Sequence, residues 1–435
     1  MNFGILVLLL ALLLFGLLAF KQINALILAP LVTIFVIVCS GMPILDSLKT
    51  LFMPAASNYV TSYFLVFFVG ALFGAVYQHT GAAESISKTL AGLCKGKFVA
   101  PIIMTITGIL TFGGVSGFVV FFVIYPIALN MFKEANLTRR LIPAAISAGC
   151  WTWSMYGPGS PSIQNVIAMD SLGTPSTAAM VPSVIAAVAS YVLIFAWLEM
   201  RSRNFTKKGI VFNDTSLKFQ LSPEEMAVDE EKDLPNFWIA MIPIVVILVA
   251  FNGFDVPVET AVFLGVALAT ILMWKRVGSI NGWIAVFNEG AANSGVSILN
   301  TAIVVGFGGV VKQTQGFADL VEALKTFNMP ALVFVMITVA ICAGACGSAS
   351  GGMGVAFNAL TDTYLELGAN LEHVHRIAAI AAGTLDSLPH QGAQITLLGI
   401  CKLTHKEAYF DIFVTQIVIP FISCGVFIIC AMMGM

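Results

Sequence analysis

Apolar runs of bilayer-spanning length recur along this chain, at 3–20, 24–41, 61–79, 177–199, 237–252, 258–274, 295–311 and 412–434. About 20 helical residues cross the ~30 Å hydrocarbon layer of a membrane. Lipid offers no hydrogen-bond partner, so such segments must satisfy their own backbone as helices. The composition agrees: 58% of residues are hydrophobic and 10% charged, where soluble domains carry roughly a quarter charged residues. Mean hydropathy is +0.94. The first run has no basic residue before it, and a second run follows at once. It is therefore expected to be a transmembrane helix rather than a signal peptide.

A net charge of −2 offers no basic patch, so nucleic acid is not an expected partner. The lipid bilayer is. The eight cysteines lie in or beside apolar segments, with no CxxC pair and no histidine at ligand spacing. They are expected to be reduced packing residues, with no metal site and no cofactor.

The long polar segment 201–236, with RSRNFTKK and PEEMAVDEEKD, reads as a cytoplasmic linker. It divides the chain into units 1–200 and 237–435, and these units match each other. A shift of 234 residues places GGVSG (113–117) on GSASG (347–351), ANL (135–137) on ANL (369–371), and AAISAG (144–149) on AAIAAG (378–383). A shift of 235 places Gln78, Gly81 and Glu84 on Gln313, Gly316 and Asp319. Ordered matches at nearly the same offset are the mark of a duplication.

Each unit contains two irregular regions. One is a pair of short apolar arms around a Gly/Ser tip, at 98–132 and 331–366, which predicts a re-entrant hairpin. The other is an apolar stretch with a polar interruption, at 140–170 around YGPGSPSIQN and 375–400 around PHQGAQIT. These predict transmembrane helices broken at mid-membrane, tolerated only inside protein or beside a cavity. Each unit then crosses the membrane an odd number of times, so the second is inverted relative to the first. The expected fold is an all-α polytopic membrane protein of two inverted-topology repeats, with about ten crossings plus two hairpins. With both termini outside, only Lys49, Lys312, Lys325 and Arg376 of the 21 basic residues fall outside, as the positive-inside rule requires.

Inverted repeats with broken helices are the signature of a secondary transporter with its site near the midplane. Half-helix ends present bare N–H groups and a positive dipole end, which hold an anion without any Lys or Arg. No basic residue is expected inside a span. The first hairpin tip offers Gly114, Ser116 and Gly117; the second offers Ser348, Ser350 and Gly351. The breaks offer Ser160, Ser162, Gln164 and Asn165 on one side, and His390, Gln391, Gln394 and Thr396 on the other. This hydroxyl, amide and backbone N–H lining suits a small hydroxylated carboxylate. The tips could instead be close-packing positions, and Gln164 and Asn165 could simply cap a half-helix.

Asp386 and His390 are ionisable, inside a span, and four residues apart. An ionisable group there is a functional hypothesis by default, so both are candidate proton carriers. The alternative is that Asp386 braces the broken backbone. Asp170, Asp362 and Glu289 are weaker acids for the role. His373, His375, His79 and His405 flank spans and are expected to be solvated or interfacial.

The runs GGVSGFVVFFVIYPIALNMF and RRLIPAAISAGCWTWSMYGPGSPSIQN resemble the GntP family of gluconate and hydroxy-acid permeases, within the Ion Transporter superfamily. The resemblance covers nearly the whole chain. It implies a bacterial inner-membrane homodimer that carries an organic acid with protons by an elevator-like motion. GTLDSLPHQGAQITLLGICKLTHKEAY looks more like the 3-hydroxybutyrate permease branch, which favours a short hydroxy-monocarboxylate over gluconate. Sodium-coupled relatives carry Ser-Asn-Thr tips. The tips here lack the Asn, so protons are the expected coupling ion and Na+ less so. A cation/proton antiporter on the same scaffold would be expected to use several buried carboxylates. An embedded enzyme would need a nucleophile–base or metal motif that the sequence does not show, and a passive channel would not need inverted hairpins.

Overall fold

The computed structural model describes residues 2–435 apart from 22, 95–96, 113–116, 161, 223–232, 255 and 327–328. It is all-helical, with no strand among the described residues. The first half runs α1 (Phe3–Phe20), α2 (Ala25–Cys39), α3 (Ile44–His79), α4 (Ala82–Cys94), α5 (Val99–Phe112), α6 (Gly117–Glu134), α7 (Ile142–Trp151), α8 (Ile163–Leu172) and α9 (Met180–Lys207). The second half follows the same order: α10 (Phe237–Phe254), α11 (Val258–Leu272), α12 (Ile280–Val311), α13 (Gln315–Lys325), α14 (Ala331–Cys346), α15 (Ala349–Glu366), α16 (Leu371–Leu385), α17 (Gly392–Ile400) and α18 (His405–Met432). Among the described residues, five helices are long and apolar enough to cross a membrane: α1, α3, α9, α12 and α18. Large apolar side chains such as Leu13, Val188 and Ile271 stand exposed on the outer helices, as a lipid-facing surface requires.

Two of these helices run further than the sequence predicts. α3 begins at 44 rather than 61, and α12 at 280 rather than 295. At 36 and 32 residues and about 1.5 Å per residue, both are longer than the ~30 Å hydrocarbon layer. They pack directly together. Gly290 meets the backbone of Leu72, and Gly306 meets Phe52, so closely that an added Cβ would be within about 3 Å of those atoms.

The helix boundaries follow local chemistry. The Asn370 side chain accepts from the N–H groups of Glu372 and His373 and starts α16. α16 stops at Leu385 because Pro389 in a continuing helix would clash with the Leu385 carbonyl four residues back. α7 stops at Trp151, ahead of the run Gly157, Pro158, Gly159. In the second hairpin, Gly347 adopts φ +62° to end α14, a conformation nearly free only for glycine. The Ser348 side chain then accepts from Gly351 N to open α15.

Two apolar cores form. One gathers α3 to α7 with α10 and α11; the other gathers α1, α2 and α13 to α16 with parts of α8, α12 and α18. Trp151, at the end of α7, packs against both. The part of the linker at 208–222 is docked rather than loose. Phe212, Leu217 and Leu221 are buried in the first core, and Arg140 holds Asp214 at 2.7 Å.

Candidate functional site

A cavity of about 370 Å³ lies where the two cores meet. Two hairpins, two helix breaks and two long helices line it. Gly117 and Phe118 come from the first hairpin, and Gly347 to Ser350 from the second. Trp151, Met155, Ser162 and Gln164 come from the first break, and Asp386, Gln391 and Gly392 from the second. The long helices α3 and α12 close it with Tyr59, Tyr63, Thr301 and Val305. Its volume is that of a small-ligand site. Among its described lining residues Asp386 is the one carboxylate, and none is Lys or Arg.

Two polar atoms in this wall are buried without a hydrogen-bond partner, the Tyr59 hydroxyl and Gln391 Oε1. A buried polar atom left bare costs ~1–3 kcal/mol. A ligand carrying both donors and acceptors is what would satisfy them.

At the second break, Asp386 is the C-terminal cap residue just past α16, and it is 5% exposed. Its carboxylate accepts from Gln391 Nε2 at 2.9 Å and from Ser387 Oγ at 3.2 Å. The Ala349 N–H, in the first turn of α15, also faces it. The acid therefore ties the break to the second hairpin tip. Behind it, Ser387 Oγ reaches Gln416 Oε1 at 3.0 Å, and Gln394 Nε2 donates to the same oxygen at 2.7 Å. Gln416 Nε2 donates in turn to Ser147 Oγ on α7. Gln416 lies in a π-helical turn at Val414–Val418, a distortion often found at functional sites. The second half-helix is fixed to α12 through Thr396 Oγ1 and Thr301 Oγ1, 2.5 Å apart.

At the first break, Asn165 is the organiser. Its Nδ2 donates to Met155 O at 3.1 Å and Ser160 O at 3.0 Å, and its Oδ1 accepts from Arg376 Nη1 at 2.8 Å. Arg376 also donates to Tyr156 O at 2.8 Å and Ser176 O at 2.9 Å. His375 joins Asn165 Oδ1 at 3.2 Å and Thr174 Oγ1 at 2.7 Å. A broken helix leaves carbonyl groups without intrahelical donors, and an arginine from the other half supplies them here.

The predicted residues separate into those that meet and those that do not. Gly117, Ser162, Gln164, Ser348, Ser350, Gln391 and Asp386 line one cavity. Ser160, Asn165, Gln394 and Thr396 are buried behind it as bracing groups. Gly351 sits in the first turn of α15, against Lys312 Nζ. Gly114 and Ser116 lie outside the described residues.

Several expectations are corrected. His390 does not share a helical face with Asp386, because α16 ends at Leu385. Its Nε2 instead bonds Gly344 O at 2.9 Å beneath the hairpin tip, with its ring edge-on to Phe15. His375 is fully buried rather than solvated, and Arg376 beside it is fully buried too. His405 is 8% exposed and bonds Pro389 O at 2.9 Å. Asp170 and Asp362 are exposed, and Glu289 pairs with His79 at 2.8 Å. Tyr59, Tyr63 and Gln416 were not expected. For Gln416 there was a signal, a lone amide in the run 412–434.

The chain is 32% identical to "Uncharacterized transporter YxjC" of Bacillus subtilis over 456 aligned residues, covering 95% of this chain and 96% of YxjC. It belongs to the transporter family of YxjC. A second relative, "Uncharacterized transporter" of Haemophilus influenzae, is 24% identical over 80% of this chain and 79% of its own. No protein-family model matches the chain. As a YxjC-family transporter, the protein has a cavity that calls for a transport reading rather than a catalytic one. Its wall supplies hydroxyls, amides, helix ends and one acid.

Proposed function

We propose that this YxjC-family protein is a secondary active transporter that carries a small hydroxy-monocarboxylate, 3-hydroxybutyrate-like, in symport with protons. The observation that carries the reading is the shared cavity, where both hairpins and both helix breaks meet without a lining Lys or Arg among the described residues. The N-terminal turn of α15 and the hydroxyls of Ser348 and Ser350 receive the carboxylate, as helix ends do for anions. Gln164, Gln391 and the Tyr59 hydroxyl receive the substrate hydroxyl. Asp386 carries the proton, and a protonated Asp386 lets the anion approach without repulsion. His390 positions the tip.

The two halves act as inverted repeats, with about ten crossings, both termini outside, and residues 201–236 in the cytoplasm. The matched helix order of the halves supports this. The hairpins and broken helices move as one body past α3 and α12 in an elevator-type cycle, in a homodimer of the bacterial inner membrane. A gluconate-sized sugar acid is the second reading, because a cavity of about 370 Å³ leaves room for it. Counterflow in proteoliposomes tests the assignment. Labelled 3-hydroxybutyrate should exchange, and exchange should weaken for acids without a hydroxyl. If only Na+ exchanges for H+, the assignment fails in favour of an antiporter.

A further inference from the structure

A hydroxyl group has one proton to donate, and at Ser387 two acceptors compete for it. Ser387 Oγ is 3.2 Å from Asp386 Oδ1 and 3.0 Å from Gln416 Oε1. We propose that Ser387 is a two-position switch that reports the charge of Asp386 to the first broken helix through Gln416. The inference rests on the proton-coupled reading of the site. An ionised Asp386 is the stronger acceptor, so it takes the Ser387 proton, and Gln416 Oε1 keeps only the bond from Gln394. A protonated Asp386 gives up that claim, and Ser387 turns to Gln416. Gln416 is fully buried, and its Nε2 holds Ser147 on α7. Its amide thus hydrogen-bonds to the second break and to α7 together. The Tyr409 hydroxyl fixes the Ser387 carbonyl at 3.0 Å, so the serine hydroxyl can turn while its backbone stays.

The other titratable groups around Asp386 are accounted for. Tyr409 faces it from α18, and Tyr59, Tyr63 and Cys150 lie across the cavity. His390 is turned to Gly344 O and His405 to Pro389 O. Asp411 is held by Arg201 at 2.6 Å. Among the described residues, none of these hydrogen-bonds to the Asp386 carboxylate.

The test follows the protonated-carboxyl infrared band of the full-length protein in lipid through a pH titration, with Asp386→Asn identifying the band. Ser387→Ala removes a donor from the ionised acid, whereas Gln416→Leu removes the competitor for that donor. The two variants should move the midpoint in opposite directions, each by about one pH unit, the size of one hydrogen bond to a charged group. Ser387→Thr, which keeps the hydroxyl, should match the wild type. Shifts in the same direction, or no shift in either variant, would overturn the switch. This readout needs no substrate, so it stands apart from transport. A wild type that never accumulates acid on a proton gradient defeats the proposed function, while opposite midpoint shifts would still establish the switch.

Discussion

Arg376 donates to Asn165 Oδ1 at 2.8 Å across 211 positions of sequence. The bond joins the N-terminal part of α16 to the break between α7 and α8. Arg139 makes the reverse connection, donating to the Cys401 and Lys402 carbonyls just past α17 at 3.2 Å each. Each half thus sends a buried arginine into the other half's broken helix.

Removing the first of these should loosen the cavity wall. Arg376→Met leaves the Tyr156 and Ser176 carbonyls bare, and each buried orphan costs ~1–3 kcal/mol. Thermal unfolding of the purified protein should show a loss of about 3 kcal/mol. Arg376→Lys should recover less than half, because one ammonium cannot reproduce a planar fork. An unchanged melting point in Arg376→Met would mean that water replaces the guanidinium there.

The hairpin tip should matter for affinity rather than turnover. Ser348→Ala and Ser350→Ala each remove one hydroxyl from the wall, and a net hydrogen bond of ~0.5–1.5 kcal/mol corresponds to roughly a two- to tenfold rise in KM. Initial uptake rates over a substrate series measure it. Unchanged KM in both variants would take the second tip out of the binding site.

The docked polar segment at 208–222 gives a pH prediction. Burial pushes the Asp214 carboxyl up, but hydrogen bonds from Ser216 and Arg140 outweigh this and hold it below its ordinary value. A carboxyl depressed on folding stabilises above its unfolded pKa of about 4, and loses that contribution as pH falls through the folded value. Protease cleavage of the linker should therefore be constant from neutral pH down to about 4 and rise below it. Asp214→Ala should be cleaved faster at neutral pH. Equal cleavage of variant and wild type would show that the apolar contacts of Phe212, Leu217 and Leu221 hold the segment alone.

Much of this architecture was legible in the sequence, for a local reason. Pro389 and the Gly157–Gly159 run end helices wherever they occur, so both breaks fall where the residues put them. The hairpin arms 98–132 and 331–366 are likewise close to α5 with α6 and α14 with α15. The polar partners were not legible. Arg376 and His375 sit beside a span end, and whether such residues meet water or another helix is decided by tertiary packing. The broken helix does announce that carbonyls need donors, but not which half supplies them. His390 shows the opposite error: spacing of four implies one face only while the helix lasts, and it ends first.

Asp386 links the cavity to both the second tip and Gln416, so coupling should fail when its charge is removed. In Asp386→Asn, accumulation driven by a pH gradient should vanish while counterflow at equal pH persists. Undiminished accumulation would return Asp386 to bracing the backbone.

The central claim is uptake of a hydroxycarboxylate driven by protons, and gradient-driven transport in proteoliposomes tests it most directly. With labelled 3-hydroxybutyrate outside, an imposed inward proton gradient should drive accumulation above equilibrium, and a sodium gradient at uniform pH should drive none. Accumulation on the sodium gradient, or no accumulation on either, would contradict the account.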